Sequence, residues 1–428
     1  MNMFSSWANS TFGALSNRDY RVLFIGTTIS MLGFMMMMVV QSVVAFDLTG
    51  KNGAVGLVSL GMGLAMAFVS PFGGAIADRV SKKTISLIGQ AVITVVFAVI
   101  AVLIMTDLIT IWALALSTLV IGLAFAFIGP ARQAWIGEVL QGPMMSNGVA
   151  LQQVTMNATR IVGPFMAGLL VAVAFIGTGG AYLIMAVLAG AVVLSFLWMP
   201  TAQPKRHRDE SVFADLKLGL QHVWERPRLR LLVATFAGVV LAGYAYQVIL
   251  PGYLQNALGR DSKDLGIVYG VSAVGGLILS ISLVSKAGTR HARWYMFIFG
   301  GILGVGLMLT AIAPNYLSAL GAMVIVGAAS SGFQLLNNAI IMQETDPQYF
   351  GRVMSLTMLA FGFNGIAAWP YGALADVVGE RATLFAMGTA SIVVVVLGAM
   401  ALLAINRQSG VSTDAARVPM MPGGAPGD

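Results

Sequence analysis

Apolar residues run in long stretches along nearly the whole chain, broken by short polar loops. A helix crossing a hydrocarbon core needs roughly 20 apolar residues. Stretches of that kind fall at 22–46, 54–76, 84–105, 108–129, 147–175, 181–199, 231–255, 264–285, 294–313, 316–340, 352–375 and 382–405. Inside lipid the backbone N–H and C=O groups have no water to bond, so each stretch must satisfy them internally. The pattern therefore predicts twelve transmembrane helices, even where Gly, Val and Ile would favour other conformations in water. The fold class expected is an all-α integral membrane protein built as two six-helix bundles.

The polar stretches divide the chain. The longest, 200–230, has six spans on either side, and within it Val212 to Trp224 spaces its apolar residues like an amphipathic helix lying along a membrane surface. The expected units are an N-terminal segment 1–21, a first bundle 22–199, a linker 200–230, a second bundle 231–405 and a tail 406–428 too rich in Pro and Gly to pack. The bundles carry traces of a repeat: ARQAWIGEVLQGPMMSNGV (131–149) aligns with NNAIIMQETDPQYFGRV (337–353), pairing Glu138 with Glu344. IVGPFMAGLL (161–170) aligns with AAWPYGALAD (367–376), pairing Pro164 with Pro370.

Composition agrees with the pattern: 58% of residues are hydrophobic, against roughly 45–50% in ordinary globular chains. Of the 24 lysines and arginines, only Lys51, Arg260, Lys263 and Arg381 fall on the side opposite the termini, and only Arg160 lies within a span. By the positive-inside rule both termini are expected in the cytoplasm of a cell (inner) membrane. The net charge of +7 is then accounted for by topology and headgroup contacts, with no nucleic-acid partner. There is no cysteine, and His207, His222 and His291 lie apart, so no metal site or cofactor is expected. Phosphate-loop, zinc-protease and nucleophile-elbow motifs are absent, which argues against an enzyme. The N-terminus lacks the short apolar core and cleavage site of a signal peptide.

Residues 73–84, GGAIADRVSKKT, concentrate charge between two apolar spans. This loop resembles that of the major facilitator superfamily of secondary transporters, G-x-x-x-D-R-x-G-R-R between spans 2 and 3. Gly74, Asp78, Arg79, Lys82 and Lys83 match it, and Ser81 replaces the second glycine. The corresponding loop between spans 8 and 9 keeps Lys286, Gly288 and Arg290 but has Ser285 in place of the acid. Gly74 would let span 2 approach a neighbour closely. Asp78 would sit on the N-terminal amides of span 11, which begins at Gly351 and Arg352. Arg79 is expected to pair with Glu138, and Glu344 with Lys286 or Arg290, latching the halves on the cytoplasmic side. LSNRDYRVLFIGTTISMLG (15–33), PARQA (130–134), NATRIVGPFMAGLL (157–170), GRVMSL (351–356) and ALAD (373–376) look like the bacterial branch with macrolide-efflux and enterobactin-export proteins. That resemblance implies a monomeric exporter of an amphipathic small molecule, driven by protons through rocker-switch alternating access. A solute importer or facilitator and a lysophospholipid flippase are the alternatives.

Charges within spans are costly and point to function. Gln153, Asn157 and Arg160 follow i, i+4, i+7 and share one helical face, so Arg160 looks into the bundle. It either draws an anionic cargo or bonds neighbouring carbonyls. In this superfamily spans 1, 4, 7 and 10 surround the cavity, which makes Gln41, Tyr244, Gln247, Gln334 and Asn338 wall candidates beside Asn157 and Arg160. Phe361, Phe363, Trp369 and Tyr371 of span 11 would add apolar surface. No acid lies mid-span, leaving Asp47 and Asp376, at outer helix ends, as candidates for proton coupling. Pro164 and Pro370 bend spans 5 and 11 at equivalent places and are expected to flex with gating.

Overall fold

The first apolar stretch is bounded by residues with capping and turn preferences. Asn17 accepts the amides of Asp19 and Tyr20 to start the first helix, and Gly50, at φ 64°, ends it. The computed structural model describes residues 13–70, 72–73, 76, 80–140, 142–200, 212–283, 291–346 and 349–408. The first half contains α1 (Arg18–Thr49), α2 (Asn52–Phe68), α3 (Lys82–Met105), α4 (Ile111–Val139), α5 (Pro143–Ala172) and α6 (Gly177–Leu197). A linker helix (Val212–Glu225) leads to α7 (Pro227–Gly243), α8 (Leu265–Leu283), α9 (Ala292–Ile312), α10 (Tyr316–Glu344), α11 (Phe350–Val378) and α12 (Glu380–Gln408). Among the described residues eleven helices are long and apolar enough to cross a membrane, and α2 is a shorter apolar helix. Of the expected second span, positions 71, 74–75 and 77–79 lie outside the described residues.

The seventh span departs from the single helix expected over 231–255. Helix α7 stops at Gly243, tightens into a 3₁₀ turn over Tyr244–Val248 and widens into a π turn over Tyr253–Ala257. Pro251 has no N–H to return to the carbonyl four residues back, so the Gln247 oxygen is released, and the Tyr269 hydroxyl donates to it at 3.4 Å.

Two seams join the halves, α2 against α11 and α5 against α8, and both depend on missing side chains. A Cβ on Gly63 would lie 2.6 Å from the Gly365 carbonyl carbon, and one on Gly168 would lie 2.7 Å from the Gly266 Cα. No side chain fits at such distances, so backbones meet directly, as lipid-embedded helices require when no hydrophobic effect pulls them together.

Two basic residues counted above as topology signals are interior instead. Arg132 is buried in the first half, where its Nη2 donates to Gln90 Oε1 at 2.7 Å, Ser30 donates to the same oxygen at 2.8 Å, and the guanidinium lies 5.1 Å from the Phe196 ring centre. Lys82 is buried with Glu138. The linker helix does not lie free on a surface: Gly219 backs onto Arg352, and the His222 ring stacks on Tyr349 at 4.1 Å, so the helix docks on the first turn of α11. Its Leu220 and Trp224 remain exposed.

Candidate functional site

The end of the bundle carrying the linker helix, the linker end, holds three ion pairs among the described residues. Lys82 Nζ lies 2.9 Å from Glu138 Oε1, joining α3 to α4. Arg293 pairs with Glu344, joining α9 to α10. Arg226 grips both carboxylate oxygens of Asp346, tying the linker to the α10–α11 loop. Among the described residues Glu138 pairs with Lys82 and Glu344 with Arg293, each within its own half; the expected pairings of Glu138 with Arg79 and of Glu344 with Lys286 or Arg290 involve residues outside the described set. The Lys83 amine donates to the Leu197 and Met199 carbonyls at 2.8 and 2.5 Å, capping the C-terminal end of α6, where helix carbonyls lack partners. Arg352 lies over the Tyr349 ring at 5.6 Å. Gly74, Asp78, Arg79, Lys286 and Arg290 lie outside the described residues.

Among the described residues, side-chain hydrogen bonds that cross between the halves lie at the far end. Asp47, closing α1, accepts the Ser262 hydroxyl at 2.7 Å from the turn before α8. Asp376, closing α11, accepts the Asn52 and Gly53 amides of α2 at 2.7 and 2.8 Å. Helix α2 has no capping side chain of its own, since Lys51 occupies its N-cap position without a bond. A carboxylate from the other half therefore supplies the cap, at the end where the helix dipole favours negative charge. Asn52 Nδ2 donates further to Asp376 at 3.2 Å and to Glu380 at 3.0 Å, and Asn256 Nδ2 donates to Glu380 at 2.7 Å. Both acids singled out for coupling thus stand at cross-half contacts. Asn52, Asn256, Ser262 and Glu380 were missed. The sequence signal present here marks Asp376 and not these four: Gly372-Ala373-Leu374-Ala375-Asp376 echoes Gly74-Ala75-Ile76-Ala77-Asp78.

Between the ends, Arg160 is exposed on α5. Its guanidinium and the Tyr244 hydroxyl, on the 3₁₀ turn after α7 in the other half, lie within electrostatic reach of each other. The Tyr244 hydroxyl donates to the Ser330 carbonyl of α10 at 2.9 Å, and its ring meets Phe361 of α11 at 6.0 Å, edge to face. Phe361 in turn packs edge-on against Phe236 at 5.7 Å. Gln247 is exposed on the 3₁₀ turn, and Gln334 and Asn338 are half-buried on α10. Gln41 departs from its expected place on an open wall: it is 2% exposed and its Oε1 is without a donor among the described residues. The Asn157 side chain lies outside the described residues. Pro164 is buried on α5, one turn beyond Arg160, and Pro370 is exposed on α11. One fixed cation, a hydroxyl and an aromatic wall at a seam between two bundles suit a bound molecule with both a charged and an apolar part.

Two helical bundles, joined at their far end and meeting around a mid-depth polar site, define a multi-pass transporter of small molecules. The chain belongs to the Major Facilitator Superfamily, which it matches over residues 23–368. It is 25% identical to the staphyloferrin A transporter of Staphylococcus aureus, covering 87% of this chain and 91% of that protein. It is 23% identical to the enterobactin exporter EntS of Shigella boydii (94% and 96%), and 24% identical to the quinolone resistance protein NorA of S. aureus (89% and 96%). Among solved structures, the nucleoside transporter NupG superposes with a TM-score of 0.65 at 14% identity, covering 90% of this chain and 99% of that one. These structures share the fold.

Proposed function

We propose that the chain is a secondary active exporter of an amphipathic, anionic small molecule of siderophore or drug type. In this reading it acts as a monomer in a bacterial inner membrane, with both termini cytoplasmic, and works by proton antiport through rocker-switch alternating access. The observation that carries the reading is Arg160 within electrostatic reach of Tyr244, whose ring packs against Phe361. A cation in a low-dielectric site attracts an anionic group strongly, and the aromatic wall takes up the apolar part. Relatives named for siderophore transport, enterobactin export and quinolone resistance support this cargo class and direction. With the far end clasped, the site would communicate with the linker end, the cytoplasmic side in this topology.

The test is a proteoliposome assay that reads lumenal pH under an imposed gradient while amphipathic anions, cations and neutral compounds are added in turn. Proton movement triggered by the anionic class and silenced by Arg160→Ala is the expected result. Proton movement with cations alone would overturn the cargo class. No proton movement with any compound, from folded protein, would overturn antiport.

A further inference from the structure

The far-end node has one hydrogen bond too few. Asn52 is 1% exposed, and its Nδ2 serves the carboxylates of both Asp376 and Glu380, while its Oδ1 has no donor among the described residues. Burying an amide oxygen without a partner is costly, so the closed node has room for one more donor. Two carboxylates meet there, and no lysine or arginine among the described residues forms an ion pair with either. The nearest arginine in the chain, Arg381, is committed elsewhere. It donates to the Ala311 and Ala313 carbonyls at 2.8 Å each and to the Ala257 carbonyl at 3.3 Å, and lies over the Tyr253 ring.

The two carboxylates are not equivalent. Both oxygens of Asp376 are occupied by donors from α2. Glu380 is 9% exposed, and both of its amide bonds fall on Oε1, leaving Oε2 to carry a proton.

We propose that Glu380, with Asn52 and Asp376, forms a proton-binding site that secures the far end when the carrier is closed there. The proton adds to the Glu380 carboxylate, and the O–H so formed donates to the Asn52 amide oxygen, supplying the missing partner while Asp376 continues to cap α2. Acid on the far side therefore favours closure of the far end. This deepens the antiport reading and rests on it. The other charged groups around the node are Lys51 at the α2 N-cap, Asp47 against Ser262, Lys263 near Asp261, and Arg260 paired with Asp264. Those acids lie with cations or on solvated turns, which leaves Glu380 as the buried carboxyl of the group.

The chain contains no cysteine, so labels can be placed without background. Spin labels on Lys51→Cys and Val377→Cys, both exposed and in opposite halves, report far-end separation in the full-length protein in lipid nanodiscs. Lowering the pH from about 8 to about 5 should raise the closed-to-open ratio at least about threefold. Glu380→Gln, whose amide is a permanent donor, should hold the far end closed across that range. Asn52→Leu, which removes the acceptor, should abolish the pH response. Distances indifferent to pH in the native chain, a full pH response surviving in Glu380→Gln, or a response to Na⁺ at constant pH in place of protons would overturn the proposal. Proton flux in proteoliposomes separates the two readings. Flux with pH-indifferent distances defeats the node alone, and pH-gated distances without flux leave the node standing while defeating antiport.

Discussion

Pro164 has no N–H to return to the carbonyl four residues earlier, and that carbonyl belongs to Arg160. One turn of α5 therefore presents a cation and a released backbone oxygen together. Pro164→Ala restores the missing bond and stiffens the turn, so transport should slow several-fold while protein abundance is unchanged, a split read by quantitative blotting beside uptake into inverted vesicles. Arg160→Ala should weaken binding of an anionic cargo at least about tenfold, equivalent to about 1.4 kcal/mol, as measured by calorimetry in detergent. Arg160 as a cation deep within the fifth apolar stretch was legible from the sequence. Its partner was not, because Tyr244 lies on another helix of the other half and only packing brings the two together.

At the scale of elements, the α2–α11 seam tolerates no added volume. Gly63→Val would press branched carbons into the Gly365–Ile366 backbone, and overpacking of this kind costs roughly 1–3 kcal/mol. A thermal midpoint lowered by several degrees in a dye-binding scan should report it, and the matching lesion Gly365→Val should act the same way. The linker helix carries a different sensitivity. Burial, and next the Arg226 charge, hold the His222 imidazole below its ordinary range, with Asp346 and Glu225 opposing. A histidine held neutral on docking contributes fully above the ordinary imidazole pKa of about 6.5 and loses that contribution as pH falls below it. Deuterium uptake over 212–225, corrected for intrinsic rates, should rise on acidification toward about pH 5, and His222→Phe, which keeps the stack on Tyr349 without a titrating group, should remove that rise. The amphipathic spacing of this helix was visible in the sequence; its docking partner, the first turn of α11, was not.

For the whole molecule, the distribution of contacts decides which way the carrier faces. Among the described residues, the ion pairs Lys82–Glu138 and Arg293–Glu344 at the linker end lie within single bundles, whereas Asp47–Ser262 and Asp376–α2 at the far end cross between halves. Holding the far end shut should then stop transport outright. Asp47→Cys with Ser262→Cys, bridged by a short bifunctional thiol reagent, should lose transport on treatment, while each single variant treated alike keeps it. Transport surviving in the bridged protein would show that the far end need not open there. Lys82, from the charge-rich loop at 73–84, illustrates the limit of sequence: its partner Glu138 lies on α4, and which charges of distant segments meet is set by packing.

The sequence by itself determined the helical spans, the split around a linker and the superfamily, because each follows from local rules. Hydrocarbon demands about 20 apolar residues per crossing, and backbone groups there must bond within their own helix. Prolines, caps and the loop motif act over a few residues and were equally readable. Tertiary structure alone decided that Arg132 is interior, that Glu138 meets Lys82, that α7 breaks at Gly243 and that Asp376 caps a helix 324 residues away in sequence. In lipid all helix faces are apolar, so periodicity carries little information about which face meets which neighbour. The pairing is settled by close glycine contacts and by polar groups seeking partners, and both depend on where distant segments finally lie.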